Sequence, residues 1–238
     1  MASFPPTRHS VIQRIRTSDP SVRRDAFDDL VNGYWKPVYK YLRINWHLAD
    51  EDAQDLTQSL FFEAFQKAWL ERYEPERARF RTFIRLCADR LVMNAKQSAA
   101  RAKRGGGAQM IPLDFTEAER ELQGRHLSTP PDAEEFFHRE FIRALFDRAV
   151  AAVRAEFEST GRSVHVRLFD RHDLSPSDGV SYAQLAEEFG LTTTQVTNYL
   201  AQVRRRFRER ALEALHSLCG SDEEYRREAR ELFGVDAE

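Results

Sequence analysis

SYAQLAEEFGLTTTQVTNYLAQVRRRF, residues Ser181 to Phe207, is the stretch on which the reading of this chain turns. Ser181 is placed to cap a first helix, whose inward face is Leu185, Ala186 and Phe189. Ala186 is small where two helices cross closely, and Gly190 can take the left-handed conformation that a tight turn requires. Leu191 plugs that turn. Thr192 caps a second helix with Val196, Leu200 and Val203 at buried spacing, which leaves Thr194, Gln195, Thr197, Asn198, Ala201 and Gln202 outward. Short polar side chains at the start of such a helix suit base edges, whereas Arg204, Arg205, Arg206 and Arg208 suit phosphates. The pattern predicts a helix-turn-helix. A plain helical hairpin would account for the apolar spacing but not for Gly190 together with the polar-to-basic gradient.

Outward from this motif, few glycines and prolines among many Leu, Ala, Arg and Glu favour helices throughout the 238 residues. No apolar run approaches the roughly 18 residues of a membrane span, and Met1 to Ser10 holds no hydrophobic segment of the secretory kind. A cytoplasmic protein without a membrane partner is therefore expected. Cys87 and Cys219 lie far apart with no Cys/His cluster, so neither a disulfide framework nor a metal site is expected, and Cys87 reads as a core residue. The formal net charge is only −2, which argues against coating nucleic acid by bulk electrostatics, but the charge is segregated. From Arg77 to Arg104 the basic residues face only Glu76 and Asp89, and a second basic block runs from Arg204 to Arg210. Acid collects at Asp50 to Asp52, Asp132 to Glu140 and Asp222 to Glu238. Two nucleic-acid-facing surfaces are expected, and at least one surface suited to a basic partner.

Apolar periodicity predicts a helix over Arg23 to Arg43, bent or restarted at Pro37, then one from an Asp50 cap to about Tyr73, then one over Phe80 to Arg101 with Phe83, Ile84, Cys87, Leu91 and Val92 inward. Gly105-Gly106-Gly107, Pro112, Gly124 and Ser128-Thr129-Pro130-Pro131 read as a linker. Asp132 caps a further helix to Ser159, a short helix follows over Val164 to Phe169, and Tyr225 to Phe233 forms an amphipathic turn or two. The expected fold class is all-α: two small helical domains joined by a flexible linker, the second a helix-turn-helix domain. The expected boundaries are 1–104 and 132–218, with the linker at 105–131 and an extension at 219–238. The extension is expected to pack on the second domain, or else to cover a DNA surface.

Two phrases narrow the reading. DAQDLTQSLFF at Asp52 to Phe62 and EPERARFRTF at Glu74 to Phe83 resemble the second conserved region of sigma-70-type factors, where D-A-E-D-L-x-Q-E-x-F precedes D-P-E-R-G-x-F-R-x-W. The helix-turn-helix resembles their fourth region, with its S-Y-x-E-I-A-x-x-L-G-I-S phrase. Together they cover roughly Val22 to Leu218 in the right order, which resembles the small extracytoplasmic-function type. The resemblance implies an alternative sigma factor that binds core RNA polymerase and promoter DNA, is not an enzyme and needs no cofactor. The polymerase clamp helices would meet Asp52, Asp55, Gln58, Ser59, Phe62 and Gln66. The −10 element would be read and melted by Arg77, Arg79, Phe80 and Arg81 with Arg85, Arg90, Asn94 and Lys96, a task that needs phosphate neutralisation and resting places for unstacked bases. The −35 element would meet Thr193, Thr194, Gln195, Thr197, Asn198 and Gln202, with Arg204, Arg205 and Arg206 behind them, and the second domain would also bind the polymerase flap.

Departures from the family phrase bear on regulation. Ser59 and Gln54 stand where many relatives have acids, so docking on a basic clamp should be weakened, and added phosphate would restore charge. The Asp-Leu-Thr-Gln phrase, the Arg-x-Lys-Arg-Gly-Gly-Gly ending and the long tail resemble the subset associated with eukaryote-like serine/threonine kinases. A kinase acting on Thr57 or Ser59, or an anti-sigma factor, is the implied regulator: the resemblance points to Thr57, the helical wheel to Ser59. The competing expectation is a polymerase-independent helix-turn-helix regulator, which leaves Asp52 to Arg104 unexplained. Catalysis has no supporting pattern: the seven histidines are scattered and no nucleophile–base set or phosphate loop is visible.

Overall fold

A computed structural model describes residues 10–66, 69–99, 113–123, 132–175 and 179–235. Among them every regular element is helical, so the protein is all-α. The helices are α1 (Val11–Ile15), α2 (Pro20–Asn45), α3 (Asp50–Gln66), α4 (Phe80–Ala99), α5 (Phe115–Gln123), α6 (Ala133–Ser159), α7 (Ser163–Phe169), α8 (Tyr182–Phe189), α9 (Thr193–Leu218) and α10 (Asp222–Phe233). None is long and apolar enough to cross a membrane. The chain forms two compact units, Met1–Ala144 with Leu215–Glu238, and Leu145–Ala214.

Local signals account for most helix starts. Asp19 accepts from Ser21 N at 2.8 Å, and Pro20 occupies the first turn of α2, where its missing N–H costs nothing. The helix runs on through Pro37 rather than restarting. Asp132 caps α6 as expected, accepting from Glu135 N at 2.9 Å. The expected second helix stops earlier, at Gln66, and a 3₁₀ turn over Trp69–Arg72 carries Leu70 and then Tyr73 into the core. The third spans Phe80–Ala99; Arg101, Lys103, Arg104, the glycine triplet and the Ser128 to Pro131 cluster lie outside the described residues, as do Pro176 to Asp178.

The core of the first unit is aromatic. Tyr34 on α2 stacks on Phe141 of α6 at 5.3 Å and meets the edge of Phe80 at 5.7 Å, while Tyr41 meets Phe137 at 5.7 Å. Such pairs add about 0.5–1.5 kcal/mol each beyond the area they bury. This packing draws the start of α6 into the first unit, not into a domain opening at residue 132. A stripe of Phe136, Phe137 and Phe141 shows that a helix must be covered, not by what.

Two further departures follow the same logic. The linker contains a helix, α5, whose Phe115, Ala118 and Leu122 are buried and whose acids reach α2: Glu119 binds Arg43 at 2.6 Å and Glu121 binds Lys36 at 3.0 Å. Lys40, almost fully buried, pairs with Glu121 and, at 3.1 Å, with Glu140. The tail belongs to the first unit too, not to the second as expected. The last carbonyls of α9 are met there: Leu218 O accepts from the Tyr34 hydroxyl and Cys219 O from Val11 N, both at 3.1 Å. Glycine permits this approach, since a Cβ on Gly33 would fall 2.3 Å from Leu218 Cδ2 and one on Gly220 would fall 2.2 Å from Tyr73 Cε1.

The second unit is built around Val153 and Phe157 of α6, Val166, Leu168 and Phe169 of α7, Leu185 of α8, and Val196, Leu200 and Val203 of α9. Because the Tyr73 ring is buried and its hydroxyl is held at 3.0 Å by both Ala78 O and Glu224, it cannot give way. Gly220→Ala is therefore expected to cost about 1–3 kcal/mol by overpacking, read as a lowered denaturant midpoint; an unchanged midpoint would contradict the close approach.

Candidate functional site

The residues singled out by sequence lie on α3, on α4 and the turn before it in the first unit, and on α9 in the second. On α3, Ala53, Leu60 and Ala64 face inward while Asp52, Asp55 and Gln66 are exposed and Gln58, Ser59 and Phe62 half-exposed. The outward face is continuous, as its helical spacing requires. Gln54 turns back to Asp50, donating to Oδ1 at 2.8 Å. Thr57 is fully buried and its hydroxyl donates to Ala53 O at 2.7 Å. Ser59 is thus the reachable one of the two hydroxyls.

The expected −10 set divides sharply on α4 and the turn before it. Arg77 is exposed and paired with Glu74 at 2.7 Å, and Arg90 and Asn94 face solvent. Lys96 is exposed and lies over the Trp46 ring at 4.7 Å. The others are engaged. Phe80 is a core residue with no exposure, which rules out base stacking in this conformation. Arg81 is 6% exposed and pairs with Glu228. Arg79 binds Glu228 at 2.7 Å and Glu231 at 2.8 Å, both on α10. Arg85 is held by Glu134 and Asp89, each at 2.9 Å. Sequence reasoning missed Glu134, Glu228 and Glu231 as partners because they belong to the two acidic runs, Asp132 to Glu140 and Asp222 to Glu238, whose charge also suits an outside basic surface. It also missed Leu86 and Met93, which are exposed on α4 beside Arg90; their seven-residue spacing was the available signal.

On the second unit the caps and the turn expected from the sequence are present. Ser181 Oγ accepts from Gln184 N at 3.3 Å while Gln184 Oε1 accepts from Ser181 N at 2.9 Å, a capping box at the start of α8. Gly190 sits at φ 64°, ψ 37°, and Leu191 N closes the turn on Ala186 O at 2.8 Å. Thr192 caps α9 with Gln195, whose Oε1 accepts from Thr192 N at 2.8 Å. Above the fully buried Val196, Leu200 and Val203, the side chains of Thr193, Thr194, Gln195, Thr197 and Asn198 are exposed and Gln202 is half-exposed. Arg205 is exposed. Arg204 is clasped by Asp173 at 2.7 and 2.9 Å and by the Tyr182 hydroxyl at 3.0 Å. Arg206 and Arg210 share Glu156, each at 2.7 Å. Burial works against charge on Asp173, but hydrogen bonds from Arg204 and His172 prevail and hold its carboxyl below the usual range. Arg210 and Arg206 do the same for Glu156 against its burial.

A cavity of about 230 Å³ in the first unit, bounded by Asp50, Gln54, Thr116, Glu119 and Arg120, contains none of the expected site residues. Among the described residues no group of three or more His, Cys, Asp or Glu is arranged to hold a metal ion. Cys87, expected in the core, is only partly buried, and that burial pushes its thiol up to about 12. No protein-family model, curated protein or solved structure matches the chain.

His165 supports α9 from beneath, stacked on Tyr199 at 3.9 Å with its Nδ1 buried and unpartnered. Burial, then Arg162, lowers its pKa from 6.5, so the folded state favours the neutral ring. Its stabilising contribution is complete above that value and is lost as pH falls through the lowered one. The melting temperature of His165→Phe should therefore fall less than wild type between about pH 7.5 and 5.5; parallel curves would contradict it.

Proposed function

We propose that the protein is an alternative sigma factor, a subunit that binds core RNA polymerase and directs promoter-specific initiation. The observation that carries this reading is the start of α9. Five exposed polar side chains, Thr193, Thr194, Gln195, Thr197 and Asn198, follow a tight left-handed turn and lead into arginines. This supports reading α9 as a recognition helix, whose first residues would meet base edges in the major groove. Arg205 is exposed, and the pairs that occupy Arg204 and Arg206 are only partly buried, so phosphates can compete for these arginines. On this reading α9 meets the −35 element, and the Arg77 to Lys96 segment meets the −10 element.

The outward face of α3, with Asp52, Asp55 and half-exposed Ser59, supports docking on a basic clamp surface. Phosphate on Ser59 would add nearly two negative charges there, and the Ser59 side chain is half-exposed whereas Thr57 is fully buried. An anti-sigma factor is the other regulator that this reading accommodates.

The decisive experiment adds purified protein to core polymerase and selects the DNA transcribed. Promoter-specific transcripts are expected, and Asn198→Ala should weaken use of the preferred site by about 1–3 kcal/mol, the worth of a base contact. Operator binding that is unaffected by polymerase, with no transcripts, would instead favour a polymerase-independent regulator. Ser59→Glu is expected to raise polymerase affinity, and kinase treatment should do the same for wild type but not for Ser59→Ala. Loss of the response in Thr57→Ala alone would move the modified position to Thr57.

A further inference from the structure

The tail helix α10 places Glu224, Glu228 and Glu231 on one face, at i, i+4 and i+7. All three point at the start of α4. Glu224 Oε1 accepts from Phe80 N, the first N–H of α4, at 2.7 Å, which is where a helix favours an anion. Glu228 takes Arg79 and Arg81, and Glu231 takes the other side of Arg79 in a forked pair at 2.8 Å. A forked arginine–anion pair and an anion on a helix start are also how proteins hold phosphates.

The contact is specific but incompletely satisfied. Glu228 Oε2, Arg81 Nε and the neighbouring His138 Nε2 are buried without hydrogen-bond partners. Burial, then Arg81, lowers the His138 pKa, so it contributes little countercharge to Glu228 near neutrality. Each unmet polar group offsets part of what the ion pairs contribute. The chain before α10 has its own anchors, since Leu218 O accepts from Tyr34 and Cys219 O from Val11 N.

We propose that α10 is an internal stand-in for a nucleic-acid backbone: Glu224, Glu228 and Glu231 occupy phosphate positions on Arg79, Arg81 and the start of α4, and must leave before the first unit can hold DNA. This rests on the sigma-factor reading and adds a regulatory step to it. The free protein is closed at its −10 surface, and the event that lifts α10 sets when that surface opens. The exposed face of α4, Arg90 and Asn94, remains available in the closed form for first encounter.

The test uses the full chain and a labelled single-stranded oligonucleotide of mixed sequence at low salt. Glu228→Gln/Glu231→Gln is expected to bind about tenfold or more tightly than wild type, since apparent affinity scales with the open fraction. Glu231→Lys, at a half-exposed position that the fold does not need, should gain about threefold and show faster hydrogen exchange along α10. Glu223→Lys makes the same charge change at an exposed α10 position and should not gain. Circular dichroism melting checks folding, and if the double variant unfolds, the Glu231→Lys and Glu223→Lys pair decides. Equal affinity of Glu231→Lys, Glu223→Lys and wild type overturns the proposal while leaving the sigma-factor reading intact, provided wild type supports promoter-specific transcripts with core polymerase. Absence of both oligonucleotide binding and transcripts overturns the two together.

Discussion

A carboxylate removed from water must find donors, and the Glu224 side chain finds three in the first unit: Phe80 N at 2.7 Å, Gly220 N at 2.9 Å and the Tyr73 hydroxyl at 3.0 Å. Burial pushes its carboxyl above the usual range, against the pull of those donors. Meeting this one demand ties together the start of α4, the turn before α10 and the segment after α3. Gly220 can have no side chain because Tyr73 must reach in, and the bond from Phe80 N fixes where α4 starts. The aromatic cluster of Tyr34, Phe80 and Phe141 is then assembled around fixed points.

The same unit explains where the segregated charge goes. Acids from the α6 start and from α10 meet the basic run on α4, so a pattern that looked built for outside partners is partly consumed within the protein. Magnitude separates the two units here. Arg204 and Arg206 sit in partly buried pairs that solvent still reaches. The Arg81–Glu228 pair is buried, and stripping one member from such a pair costs about 3–5 kcal/mol. Arg204 and Arg206 are therefore less tightly committed than Arg81, which pairs with Glu228 out of reach of solvent.

How much was legible in the sequence depended on how local the cause was. The caps at Ser181, Thr192 and Asp132, the left-handed Gly190 and the inward spacing of Val196, Leu200 and Val203 involve residues at most seven positions apart, and each was read correctly. On α4, Ile84 and Val92 were correctly placed inward, but Phe83, Cys87 and Leu91 are only partly covered, whereas Phe80 and Ala88 are fully buried as well. A helical stripe has a direction but not a width, and the width is set by what packs against it. Thr57 was open to either reading because a helical threonine can satisfy its hydroxyl on the preceding turn and be buried at little cost.

What the sequence determined by itself is therefore the helical class, most helix starts and the exposed polar face of α9, since these rest on periodicity and on hydrogen bonds within a few residues. Only the tertiary structure decided that α5 is a helix packed on α2, that the start of α6 belongs with the first unit, and that α10 covers the start of α4. Those outcomes depend on pairs such as Arg79 with Glu228 and Phe80 with Glu224, about 150 residues apart. Charge and apolar spacing declare that a surface needs a partner. Which partner it takes is settled by shape and by where the chain can reach.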